Sequence, residues 1–100
     1  MESLTNKLRT ILVTGTSSGI GRGLCQALIE KGYKVFGTVR NKKDAIELKK
    51  EFGENFDALL VDVTNEKQVI NAKERVHNYL GRKPLTALIN NAGIATLGPV

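Results

Sequence analysis

The stretch Thr10-Ile11-Leu12-Val13-Thr14-Gly15-Thr16-Ser17-Ser18-Gly19-Ile20-Gly21 runs from an apolar burst into a glycine-rich turn and on into an amphipathic segment. Residues 10–14 (TILVT) are short, apolar and β-branched, which predicts a buried strand. A helix is predicted over residues 20–31, with Ile20, Leu24, Ala27 and Leu28 sharing one face at helical spacing. Gly32 suits the cap at its end. Gly15 permits a tight turn out of the strand, Gly19 allows the backbone close approach to a diphosphate, and Gly21 lets the helix pack on the sheet without a Cβ. The N–H groups at the helix start and the helix dipole then favour an anion, with Ser17 and Ser18 as hydroxyl donors. No Lys-Ser/Thr pair follows the glycines, which excludes a Walker-A loop.

Working outward, Lys34–Val39 (KVFGTV) predicts a second strand. Lys42–Phe52 predicts a second helix with Ala45, Leu48 and Phe52 on one side, closed by Gly53. Residues 57–61 (DALLV) predict a third strand. Thr64 or Asn65 can cap a third helix, and Asn65-Glu66-Lys67-Gln68 resembles a capping box. That helix is expected to reach Leu80 with Val69, Ala72, Val76, Tyr79 and Leu80 facing inward, before Gly81 and Pro84 break it. Residues 86–90 (TALIN) predict a fourth strand. The βαβαβαβ alternation implies an α/β fold with a doubly wound parallel sheet in the order 3-2-1-4. Ligands of such sheets bind beyond the carboxyl ends of the strands, where the strand order reverses.

The chain has 100 residues, 41% of them hydrophobic and 25% charged, which suits one small domain. No apolar run is long enough to span a membrane. The single cysteine, Cys25, cannot form an intramolecular disulfide, so a soluble protein of a reducing, cytoplasmic compartment is expected. The net charge of +5 is dispersed, with no basic run longer than two and no basic–aromatic interleaving, which argues against nucleic-acid binding. A positive surface does attract anionic ligands. His77, on the third helix, is expected at the surface. Cys25 is expected to fill the core. Tyr33 lies away from the motif ends, and no Ser-His-Asp or metal-ligand cluster can be assembled.

The spacing in Thr14-Gly15-x-x-x-Gly19-Ile20-Gly21 resembles the T-G-x-x-x-G-I-G motif of the short-chain dehydrogenase/reductase family. Asp62-Val63 at the third strand's end and Asn90-Asn91-Ala92-Gly93 at the fourth's resemble two further motifs of that family, in the same order. The resemblance implies the first part of a Rossmann-type NAD(P)-binding domain. It places Asp62 and Val63 at the adenine, and Asn90, Ala92 and Gly93 along the cofactor ribose. It has Asn91 tying the fourth strand to the first through Thr14. Asp62 could instead cap the next helix, and Asn90 and Asn91 could serve strand-end backbone groups.

NAD-dependent members carry an acid at the end of the second strand. Here the matching residue is Val39, followed by Arg40. No carboxylate repels a 2′-phosphate, and a guanidinium can grip one in a fork, with Ser17 and Asn41 sharing the contact. NADP(H) is therefore expected over NAD(H), and an Asp at position 39 is expected to shift preference toward NAD(H).

The family's chemistry uses a Tyr-x-x-x-Lys pair, with a Ser upstream and an Asn beyond. Tyr79 and Lys83 match that spacing but span a helix end before the fourth strand, away from the nicotinamide. The chain is thus expected to be a fragment, a truncated product or one piece of a longer protein. Alone it is expected to be inactive and to bind cofactor weakly. The whole protein is expected to be a homo-oligomeric oxidoreductase acting on a small alcohol or carbonyl substrate; the alternative is a non-catalytic nucleotide-binding module.

Overall fold

Four short apolar strands pair in parallel, and three helices supply the crossovers between them. The computed structural model describes residues 9–16, 19–62 and 64–90. The elements are β1 (Thr10–Val13), α1 (Gly19–Glu30), β2 (Lys34–Val39), α2 (Lys42–Phe52), a 3-10 turn (Gly53–Asn55), β3 (Phe56–Leu60), α3 (Glu66–Leu80) and β4 (Ala87–Ile89). The sheet order is β3-β2-β1-β4, as the alternation implies. Val13 stands beside Gly37 on one side and Ile89 on the other, so β1 and β4 end level with one another while β2 runs on to Val39.

Alternation along the strands divides the core in two. Ile11, Val13, Val35, Val39 and Phe56 face α1 and α2, meeting Cys25 and Leu48. Phe36 and Leu59 face α3, meeting Val76, with Leu12, Ala72 and Leu80 packed around them. Each fully buried side chain of this size contributes about 1.5–3 kcal/mol of transfer free energy.

The helix ends follow local chemistry. α1 closes in a Schellman motif: Gly32, at φ 93°, donates its N–H to the Ile29 carbonyl, and Tyr33 donates to Leu28. Asn41 caps α2 by accepting from the Asp44 amide at 2.8 Å through its side-chain oxygen. Asn65 caps α3 by accepting from the Gln68 amide. The capping box is not reciprocal, because Gln68 Oε1 accepts from the Asp62 amide at 2.7 Å instead of from Asn65.

Two helix faces differ from the periodic reading. α1 buries Gly21 and Cys25, with Leu28 and Ile29 packed beside them, whereas Ala27 is exposed and Ile20 is 75% exposed. Small residues four apart let the helix axis approach the sheet closely, and they set its rotation over the larger Ile20. Tyr79 is half exposed rather than inward. Its ring stands edge-on against Phe36, 5.3 Å between centroids, with Lys34 Nζ 5.1 Å from the ring centre. This leaves an amphipathic ring with one side packed and one side in water.

Lys34 is nearly buried, and it donates to Asp57 Oδ2 at 2.5 Å while Lys49 donates to Oδ1 at 3.1 Å. Partial burial pushes the Asp57 carboxyl up, but the hydrogen bonds from Lys34 and Lys49 outweigh it and hold the group below its ordinary 3.8. A carboxyl depressed by folding adds stability above its unfolded pKa and loses it as pH falls through the folded value. Chemical denaturation from pH 6 down through about 4 to 2 should therefore show a loss of stability that Asp57→Asn flattens, with the variant less stable at pH 6 because Lys34 loses its partner. Gly37 tests the packing. A Cβ there would lie 2.7 Å from both Phe56 Cε1 and Thr16 Cγ2. Gly37→Ala should lower the unfolding free energy by about 1–3 kcal/mol, read from urea titration.

Candidate functional site: the carboxyl end of the sheet

The glycine turn leaves β1 through Gly15, whose φ of 66° is the left-handed region that glycine enters without strain. Thr38 of β2 holds the turn at two points. Its hydroxyl accepts from the Gly15 N–H at 2.9 Å, and its carbonyl accepts from both the N–H and the hydroxyl of Thr16 at 3.0 Å. Thr16 is fully buried. The amides of Gly15 and Thr16 are thus spent on β2, and the described amides left for an anion are those in the first turn of α1.

Gly19 and Ile20 are exposed at that first turn, whose leading N–H groups have no acceptor within the helix. No acidic residue lies there to compete for them. A Cβ on Gly19 would meet nothing within 4 Å, so protein packing does not account for the glycine. Gly21 is buried against the sheet, as its packing role requires. On the other side of β1, the Thr14 N–H donates to the Ile89 carbonyl and its hydroxyl donates to Asn90 Oδ1, both at 3.0 Å. Asn90 itself therefore ties the end of β4 to β1.

Arg40 is exposed immediately beyond β2. Val39, where an acid would stand in an NAD-binding relative, is 2% exposed and packed in the α1–α2 core. This changes the expected effect of an Asp at 39: it would bury a carboxylate and disturb the fold as well as the site. Asp62 is exposed beyond β3. Its Oδ1 accepts from the Thr64 hydroxyl at 2.7 Å and the Thr64 amide at 2.9 Å. Those two bonds hold the carboxyl below its ordinary value, and the nearby Arg40 charge adds to the effect. At neutral pH Asp62 is an acceptor-only carboxylate. It does not cap α3, because Asn65 does.

Gly15, Gly19, Ile20, Gly21, Arg40, Asp62 and Asn90 thus gather along one edge of the sheet. Ser17, Ser18, Val63, Asn91, Ala92 and Gly93 lie outside the described residues. Thr16 and Thr38 are the site residues that sequence reasoning missed. The signal was present: an isolated glycine inside a strand, Gly37, marks a close approach of other atoms.

Other reactive groups lie elsewhere. Cys25 is buried, and burial pushes its thiol up to about 11, so it is inert. Tyr79 packs against Phe36 and Lys34 at the amino end of β2, far along the strand from Arg40, which removes the Tyr79–Lys83 pair from the site. His77 is exposed on α3. Among the described residues no group of three His, Cys, Asp or Glu side chains could hold a metal, and no helix is long and apolar enough to cross a membrane. A groove of about 350 Å³ beneath α3 is mostly apolar, lined by Leu12, Leu59, Val61, Ala72 and Val76, with Thr38, Lys73 and His77 also on its lining.

Comparison with known proteins shows what the chain is similar to. The chain is 42% identical to an NADPH-dependent 3-dehydrocapnine reductase of Ornithobacterium rhinotracheale, over 93% of its own length and 33% of that protein's. It is 40% identical to a probable NADP-dependent dehydrogenase of Haemophilus influenzae, over 89% of its length and 34% of the relative's. It therefore spans about a third of the length of these relatives. Among solved structures, a short chain dehydrogenase from Bacillus anthracis superposes with a TM-score of 0.75 at 30% identity, covering 86% of this chain and 35% of that one. The putative carbonyl reductase Sniffer of Caenorhabditis elegans also gives 0.75, at 35% identity, covering 84% and 37%. The family model for short chain dehydrogenases matches residues 9–100, and the chain belongs to that family.

Proposed function

We propose that this chain forms the NADP(H)-binding part of an oxidoreductase that transfers hydride between NADP(H) and a small alcohol or carbonyl substrate. The observation that carries the reading is the end of β2. An exposed guanidinium, Arg40, stands beyond a strand whose last side chain, Val39, is apolar and buried. A 2′-phosphate would meet a fork of donors there, and no acidic residue stands at positions 39–41. The names of the two relatives, both NADP-dependent, support the same choice.

The residues present fit such a dinucleotide. In this reading the first-turn amides at Gly19, Ile20 and Gly21, with the hydroxyls of Ser17 and Ser18, hold the diphosphate against the helix dipole. Gly15 gives the turn its direction. Asp62 accepts from the adenine amino group and Val63 lines the ring. Asn90, Ala92 and Gly93 line the cofactor ribose. The bound coenzyme supplies or receives the hydride. The residues of this chain bind and orient it. A cytoplasmic setting suits a buried, unpaired Cys25.

Arg40 is the cleaner probe of coenzyme choice, because replacing it leaves the core intact. By calorimetry on the full-length protein, Arg40→Ala should weaken NADPH binding about ten- to a hundredfold, the loss of a charge-assisted bond worth about 1.5–3 kcal/mol. NADH binding should change by less than about twofold. Equal dissociation constants for NADPH and NADH in the unaltered protein would refute the assignment.

A further inference from the structure

Hydrogen bonding between β1 and β2 does not stop where β1 stops. Val13 pairs with Gly37, and beyond it Gly15 and Thr16 are still bound to β2, both through Thr38. One residue thus supplies two acceptors, its side-chain hydroxyl and its carbonyl, to three donors on the turn. The arrangement is packed as well as bonded. The Thr16 methyl occupies the space where residue 37 has no side chain, and Thr16 is fully buried. Immediately after Thr38 come Val39 and Arg40, the end of β2 that the proposed function gives to the 2′-phosphate.

We propose that Thr38 is a positioning residue for the coenzyme diphosphate: it fixes the entry to the glycine turn, just past β1, so that the amides at the start of α1 are aimed before the ligand arrives. This rests on the dinucleotide reading above and adds a residue to it. Thr38 acts through Gly15 and Thr16, not by touching the ligand. A turn held in its binding geometry loses less conformational freedom on binding, and the gain appears as affinity. Because the clamp acts on the diphosphate end, it should strengthen NADPH and NADH alike. Arg40 should strengthen NADPH alone.

The test uses the full-length protein and three probes: NADPH, NADH and adenosine 2′-monophosphate, which has the 2′-phosphate but no diphosphate. Thr38→Val keeps the shape and the carbonyl and removes the hydroxyl acceptor. It should weaken NADPH and NADH equally, by about five- to tenfold, the value of one lost hydrogen bond. Adenosine 2′-monophosphate should bind within about twofold of the unaltered protein. Thr38→Ser restores the acceptor and should restore both coenzymes. If Thr38→Val does not fold, Thr16→Val removes a different bond of the same clamp and should show the same pattern. Unchanged coenzyme affinity in a folded Thr38→Val protein overturns the proposal, as does equal weakening of adenosine 2′-monophosphate or failure of Thr38→Ser to rescue. These outcomes leave the dinucleotide reading standing. An unaltered protein that binds neither coenzyme overturns both.

Discussion

The first two strands, the third strand and the glycine turn all meet at Gly37. Phe56 reaches this point from β3 and Thr16 reaches it from the turn, each to within 2.7 Å of where a Cβ would stand. Protein interiors pack at the density of organic crystals, so no slack exists there to absorb a methyl group. The position of Phe56 helps fix the floor of the α1–α2 core, which includes Val13, Val35 and Leu48. The position of Thr16 fixes where the chain leaves β1. Core packing and site geometry are therefore set by the same few atoms, and a change that loosens one loosens the other.

Charge is distributed unevenly between the two ends of the sheet. At the amino end of β2, Lys34 and Lys49 are satisfied by Asp57, and Lys34 also lies over the rings of Phe36 and Tyr79. That cluster is structural and self-contained. At the carboxyl end, Arg40 is exposed, the first turn of α1 carries no acid, and Asp62 is held ionised by Thr64 and by the Arg40 charge. A zwitterionic edge of this kind suits a ligand that is itself divided into anionic and hydrogen-bond-donating parts. The parallel sheet creates the division, since every crossover places a turn and a helix start at the same end.

Much of this was legible in the sequence. Alternating apolar bursts and amphipathic stretches gave the four strands and their order, because right-handed crossovers leave few other arrangements. β2 and α2 fell on their predicted bounds, and β1, β3 and β4 within a residue or so. The orientation of α1 was not legible from hydrophobicity. Gly21 carries no hydrophobic weight, yet its lack of a side chain is what turns that face to the sheet. The partner of Gln68 was misread for a related reason: a capping box is a local pattern, but the nearest donor proved to be the Asp62 amide. The Thr38 clamp joins residues 22 and 23 positions apart, a distance at which periodicity says nothing. The burial of Val39 depends likewise on the contacts around it.

The two rims of the sheet are unlike. Along the outer side of β3, Lys49 donates to the Phe56 carbonyl at 2.7 Å and Arg75 donates to the Ala58 carbonyl at 3.0 Å. A newcomer strand would have to displace two cations, one from each flanking helix, before it could find those acceptors. On the opposite rim β4 carries no such guard among the described residues, and Leu88 is 59% exposed on it. Extension of the sheet past β3 is consequently discouraged by the helices that flank it, since each lends one cation to the rim.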